Sequence, residues 1–120
     1  MVNKCERNLV IEPRGVERTG MLIEDLEVIK SIFRIVHGGI VHGYDSFRYE
    51  IEMGEGFMEA DLTVEKNGIE VTDAEIDFDI SDVYFLAKEL KANAMRRGEP
   101  WKSFVLSYRE GEQVQTKFAY

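Results

Sequence analysis

With 120 residues, 44% of them hydrophobic and 32% charged, the chain has the size and composition of one folded domain rather than a disordered segment. Its formal net charge of −8 argues against DNA, RNA and anionic lipid as direct ligands and favours cationic partners. The single cysteine, Cys5, allows no internal disulfide, and no apolar run reaches the roughly 18 residues of a membrane span, so a soluble cytoplasmic protein is expected.

The charge is unevenly placed. Residues 1–49 balance seven Lys/Arg against seven Asp/Glu. Residues 50–82 carry twelve Asp/Glu against Lys66 alone, a local balance of −11. Residues 83–120 return to +3, with seven bases and four acids. A solvated face that keeps the protein soluble is the plain explanation of such a segment, and a surface for a basic partner is the functional one.

Residues 1–19 have weak periodicity, contain Pro13 and Gly15, and read as an extended N-terminal arm with a short edge strand at Leu9–Ile11. That apolar run, closed by Glu12 and Pro13, is far too short for a signal peptide. Residues 20–120 read as a single α+β domain. From Met21 to Val36 the residues Leu22, Leu26, Ile29, Phe33 and Val36 recur at helical spacing, with Gly38 and Gly39 as the stop. Ser46–Met53 and Phe57–Lys66 alternate apolar and charged residues, the sign of half-buried strands. Asn67-Gly68 is a strong hairpin turn, leading to a third strand at Ile69 and Val71. Residues 73–80 (DAEIDFDI) alternate too, but Asp is a poor strand former, and an extended loop over the sheet edge is expected. Ser81 is the expected N-cap of a second helix running to Arg97, burying Val83, Leu86, Ala87, Leu90 and Ala94, and ended by Gly98 and Pro100. Lys102–Arg109 and Gln113–Tyr120 follow as strands, the last with an edge open to pairing. The order predicts an α+β fold: an antiparallel sheet of about five to six strands with two main helices on one face.

No constellation reads as an active site. His37 and His42 lie five apart in a glycine-rich loop, whereas two imidazoles on one helix face need a spacing of four. The acidic run from Asp73 would need Gly and Glu where Phe78 and Tyr84 stand to be a calcium loop. Ser31, Ser46, Ser81, Ser103 and Ser107 occupy no nucleophile elbow, and Gly54-Glu55-Gly56 lacks the lysine of a phosphate-binding loop. Arg96 and Arg97 suit the negative end of a helix dipole, and Trp101 suits a core anchor between helix and sheet. No catalytic residue, metal or cofactor is expected.

The stretch Leu86–Tyr120, with Arg97-Gly98-Glu99-Pro100-Trp101 and then Phe104, Leu106, Tyr108 and Phe118, resembles the C-terminal part of the YezG-like antitoxin and immunity proteins of bacteria. The resemblance implies a cytoplasmic, non-enzymatic immunity protein of the contact-dependent growth inhibition type, which neutralises a cognate toxin, often a nuclease. A nuclease cleft is basic because it holds a polyanion. The residues expected to bind such a partner are Glu59, Asp61, Glu65, Glu70, Asp73, Glu75, Asp77, Asp79 and Asp82. Two alternatives stand beside this reading: an adaptor domain for another basic protein, and a small metal-binding protein using His37 and His42. No direct contact with nucleic acid or membrane is expected, and the oligomeric state is left open.

Overall fold

The computed structural model describes residues 6–11 and 23–120, with residues 6–11, Ile23 and Glu24 described by backbone alone. The elements are β1 (Glu6–Ile11), α1 (Ile23–Gly39), β2 (Ser46–Gly54), β3 (Phe57–Lys66), β4 (Ile69–Val71), α2 (Ile80–Arg96), β5 (Ser103–Arg109) and β6 (Val114–Ala119). The strands form one antiparallel sheet in the order β1-β6-β5-β2-β3-β4. The expected α+β architecture is the observed one.

Alternation in the sequence becomes two sheet faces. Along β2, Phe47, Tyr49, Ile51 and Met53 are buried while Arg48, Glu50 and Glu52 are exposed. Phe104 and Leu106 of β5 and Phe118 of β6 extend the inner face. Val28, Ile29, Ile32 and Val36 of α1, with Val83, Ala87, Leu90 and Ala94 of α2, cover it. Each fully buried Ile or Leu here contributes about 1.5–3 kcal/mol. Along α1, Ile29, Ile32 and Val36 are buried, whereas Leu26 and Phe33 are partly buried. Leu22 lies outside the described residues. Trp101 is buried against Phe104 in an edge-to-face contact, with centroids 5.1 Å apart, as its place between helix and sheet led us to expect.

The helices run antiparallel and are tied at both ends. At one end Asp25 of α1, 1% exposed, accepts from Asn93 Nδ2 (2.8 Å) and pairs with Arg97 NH1 (2.7 Å). Arg97 therefore holds a carboxylate of the other helix, a role the dipole argument missed. Arg96 bonds Asn93 Oδ1 beside it. At the other end α1 continues through Gly38 to Gly39 instead of stopping before them. Gly39 is there for space: a Cβ would meet Phe78 Cδ1 at 2.5 Å.

The N-cap of α2 is Asp79, not Ser81: the Asp79 carboxylate accepts from the Ser81 N–H at 2.9 Å. The helix begins two residues earlier because Asp79 keeps an extended backbone, as a cap requires. At its C-terminus Gly98 takes φ +77°, and the Glu99 N–H reaches Ala94 O while the Gly98 N–H reaches Met95 O, a Schellman closure. β1 pairs with β6 over its whole length, from Glu6 opposite Ala119 to Ile11 opposite Val114. The β6 edge that the sequence leaves open is thus occupied. Among the described residues no helix is long and apolar enough to cross a membrane.

Candidate functional site

The sheet face opposite the helices carries the acidic residues, and hairpin arithmetic decides how they meet. The two-residue Glu55-Gly56 turn sets Gly54 opposite Phe57. Counting back from it places Glu52 opposite Glu59 and Glu50 opposite Asp61. Directly opposed residues in an antiparallel pair have Cβ atoms about 4.5–5.5 Å apart, and like charges there repel. On the far side of β2, Ser103 faces Glu52 and Val105 faces Glu50, so no cation stands across from either. Beyond β3, β4 reaches only Val64, Glu65 and Lys66 and, among the described residues, leaves Glu59 and Asp61 without a further neighbour strand. Among the described residues none of the four carboxylates has an ion pair. They form a block of exposed, uncompensated negative charge.

Further along the face the charges are balanced. Glu65 faces Glu70 across β3 and β4, but Glu65 accepts from Ser46 Oγ (2.9 Å) and pairs with Arg109 NH2 (2.6 Å). The Ser46 hydrogen bond, then Arg109, hold its carboxyl below the ordinary 4.5. These residues border a polar groove of about 240 Å³ with Arg48, Ser107 and Gln115. Arg48 has only Thr63 and Ser107 opposite it and forms no ion pair among the described residues. Lys117 lies beyond it on β6, opposite Val105. The open face therefore runs from acidic at β2–β3 to mildly basic at β5–β6.

Eight of the nine carboxylates expected to bind a partner separate into two groups, and the ninth, Asp82, lies in α2. Glu59, Asp61, Glu65 and Glu70 lie on the open face. Asp73, Glu75, Asp77 and Asp79 belong to the linker that passes the end of α1 on the helix side. There Val41 N–H reaches Glu75 O (3.1 Å), Asp77 N–H reaches Gly39 O (2.7 Å), and Ile76 forms an isolated bridge with Ile40. Ala74 and Phe78 turn toward the core, which explains the alternation of DAEIDFDI without a ladder. Asp79 is spent on the α2 cap, Glu75 meets His42 Nε2 at 3.0 Å, and Asp82 is exposed in the first turn of α2. Sequence reasoning left Glu50 and Glu52 out of the site. The two-residue turn was the signal that would have found them, since it fixes their partners by counting.

The histidines point to separate neighbours. His37 Nδ1 lies 2.5 Å from the Tyr44 hydroxyl, with its ring stacked on Phe33 at 5.2 Å. His42 turns to Glu75, and its carbonyl accepts from Lys66 Nζ. Among the described residues no three His, Cys, Asp or Glu side chains are grouped as a metal site. Burial, then Tyr108 and Glu110, push the Tyr44 phenol up to about 12. Compared with protein-family models and with curated proteins, the chain matches none.

Proposed function

We propose that this chain is a bacterial immunity protein that works in the cytoplasm by binding a basic cognate toxin, a nuclease being the first candidate, and not by catalysis. The observation that carries the reading is the like-charge register of β2 and β3, Glu50 against Asp61 and Glu52 against Glu59, on a face that neither α1 nor α2 covers. Folding has brought together four carboxylates that a cation-bearing partner would relieve. The resemblance of Leu86–Tyr120 to YezG-like proteins supports the same role. Complementary charge of this kind raises the encounter rate and selects the partner, while buried contacts set residence time.

Co-expression with the toxin encoded next to this gene is the direct test. Survival of the cells is expected, and killing as fast as without this chain defeats the proposal. Reversal of Glu50, Glu52, Glu59 and Asp61 to Lys should abolish protection and flatten the salt dependence of binding. The same reversal at Asp73, Glu75, Asp77 and Asp79 should act more weakly, because that segment lies on the helix side. An adaptor for another basic protein would use the same face, and the absence of a toxin gene nearby would favour it.

A further inference from the structure

The two sheet edges differ. On one side β6 is covered by β1 along six residue pairs. On the other, β4 covers only Val64, Glu65 and Lys66, so among the described residues positions 57–63 of β3 are themselves the border of the sheet. The Glu65 carbonyl accepts from Asp45 N–H on the β2 side. Antiparallel residues alternate between their two neighbours, so the odd-numbered residues of β3 bond to β2. Met58, Ala60 and Leu62 consequently turn N–H and C=O outward. Among the described residues, no backbone hydrogen bond outside the ladders reaches these three. Neither proline nor lysine blunts the stretch FMEADLT, and its register against β2 is unbroken by any bulge.

We infer that this β3 edge is a strand-docking site, and that its occupant is an extended segment of a partner protein carrying Lys or Arg at every second position. An added strand sets its residues directly opposite Glu59 and Asp61, which already face Glu52 and Glu50 on their other side. A cation at those positions sits among four carboxylates. The intervening residues of the segment fall beside Met58, Ala60 and Leu62, which pack partly buried against the core, and are apolar for that reason. A second copy of this chain is the wrong occupant: pairing antiparallel about Ala60 sets Glu59 against Asp61 twice and adds repulsion to repulsion. Main-chain bonds then give affinity and alternate side chains give specificity, as in other strand-addition complexes.

The inference rests on the reading of an acidic face that takes a basic partner, and the test separates the two. The probe is a nine-residue peptide of alternating Lys and Val, titrated into the full chain and followed by amide hydrogen exchange. The amides of Met58, Ala60 and Leu62 should slow at least tenfold, and a peptide with Glu in place of Lys should leave them unchanged. Ala60→Pro removes an outward N–H without touching the β2 ladder, a position where an edge strand tolerates proline. It should weaken the peptide about tenfold. Should the variant bind as tightly as the parent while Glu59→Lys with Asp61→Lys does not bind, edge pairing is wrong and the acidic face stands. Peptide binding that ignores all three substitutions defeats both. If Ala60→Pro does not fold, the amides of the parent decide: binding without their protection overturns the inference. A dimer in sedimentation with these same amides protected and no peptide present also overturns it.

Discussion

Tyr49 lies in the inner layer with its hydroxyl buried and without a hydrogen-bond partner among the described residues. Burial pushes its phenol up to about 12, and Tyr44 stands at about 12 as well. A group raised in the fold stabilises fully below its ordinary value and loses that contribution as pH climbs through the folded one. Stability should therefore hold to about pH 10 and fall between 10 and 12, read from urea midpoints across that range. Tyr49→Phe should make that fall shallower and leave neutral-pH stability equal or up to about 1 kcal/mol higher, since it removes an unpaired buried hydroxyl. Asp25 is the opposite case, a buried carboxylate held by Asn93 and Arg97. Asp25→Ala should cost about 3 kcal/mol by urea unfolding, because it leaves a guanidinium that is three-quarters covered without its anion. Asp25→Ala with Arg97→Met should recover part of that loss.

At the scale of elements, two adjacent glycines at the end of α1 separate propensity from packing. Gly38→Ala meets nothing within 4 Å and should stabilise by up to about 1 kcal/mol through helix propensity. Gly39→Ala gains the same propensity yet drives a methyl into Phe78, and a net loss of about 1–3 kcal/mol in thermal or urea unfolding is expected. The sequence shows both as a helix stop, because nothing in the local pattern reveals that Phe78, 39 residues later, lies against one of them. Where the information is local, reading was accurate. β3 runs from Phe57 to Lys66 as the alternation and the Asn67-Gly68 turn require, and both turn residues take positive φ, 56° and 77°. The α2 cap was less legible because Asp79 and Ser81 both suit an N-cap, and only the backbone at Asp79 decides between them. The site was half legible. Composition located the acidic segment, but its division between the open face and the helix side follows from the path of the linker past Gly39, a tertiary fact.

At the scale of the whole molecule, the charge pattern sets stability against the proposed binding of a basic partner. Glu50, Glu52, Glu59 and Asp61 repel one another in the free protein, and each opposed pair costs about 0.2–1 kcal/mol. Replacing one member by Lys converts repulsion to attraction, so Glu52→Lys should raise the urea midpoint by the equivalent of about 0.5–1 kcal/mol. Added salt separates this cause from any packing effect. At about 0.1 M the screening length is near 10 Å, so the repulsion in the parent fades as salt rises while the attraction in the variant fades with it. The parent should gain stability with sodium chloride, the variant should gain less or lose, and the two curves should converge. Equal salt slopes would mean that the opposed carboxylates are not the source. The same variant, more stable alone, should bind a basic partner more weakly and associate more slowly at low salt, because it has given up charge that steers the encounter. A stabilising substitution that costs binding is the behaviour of a surface kept strained for a partner, and an acidic face serving solubility alone would lose nothing by the exchange.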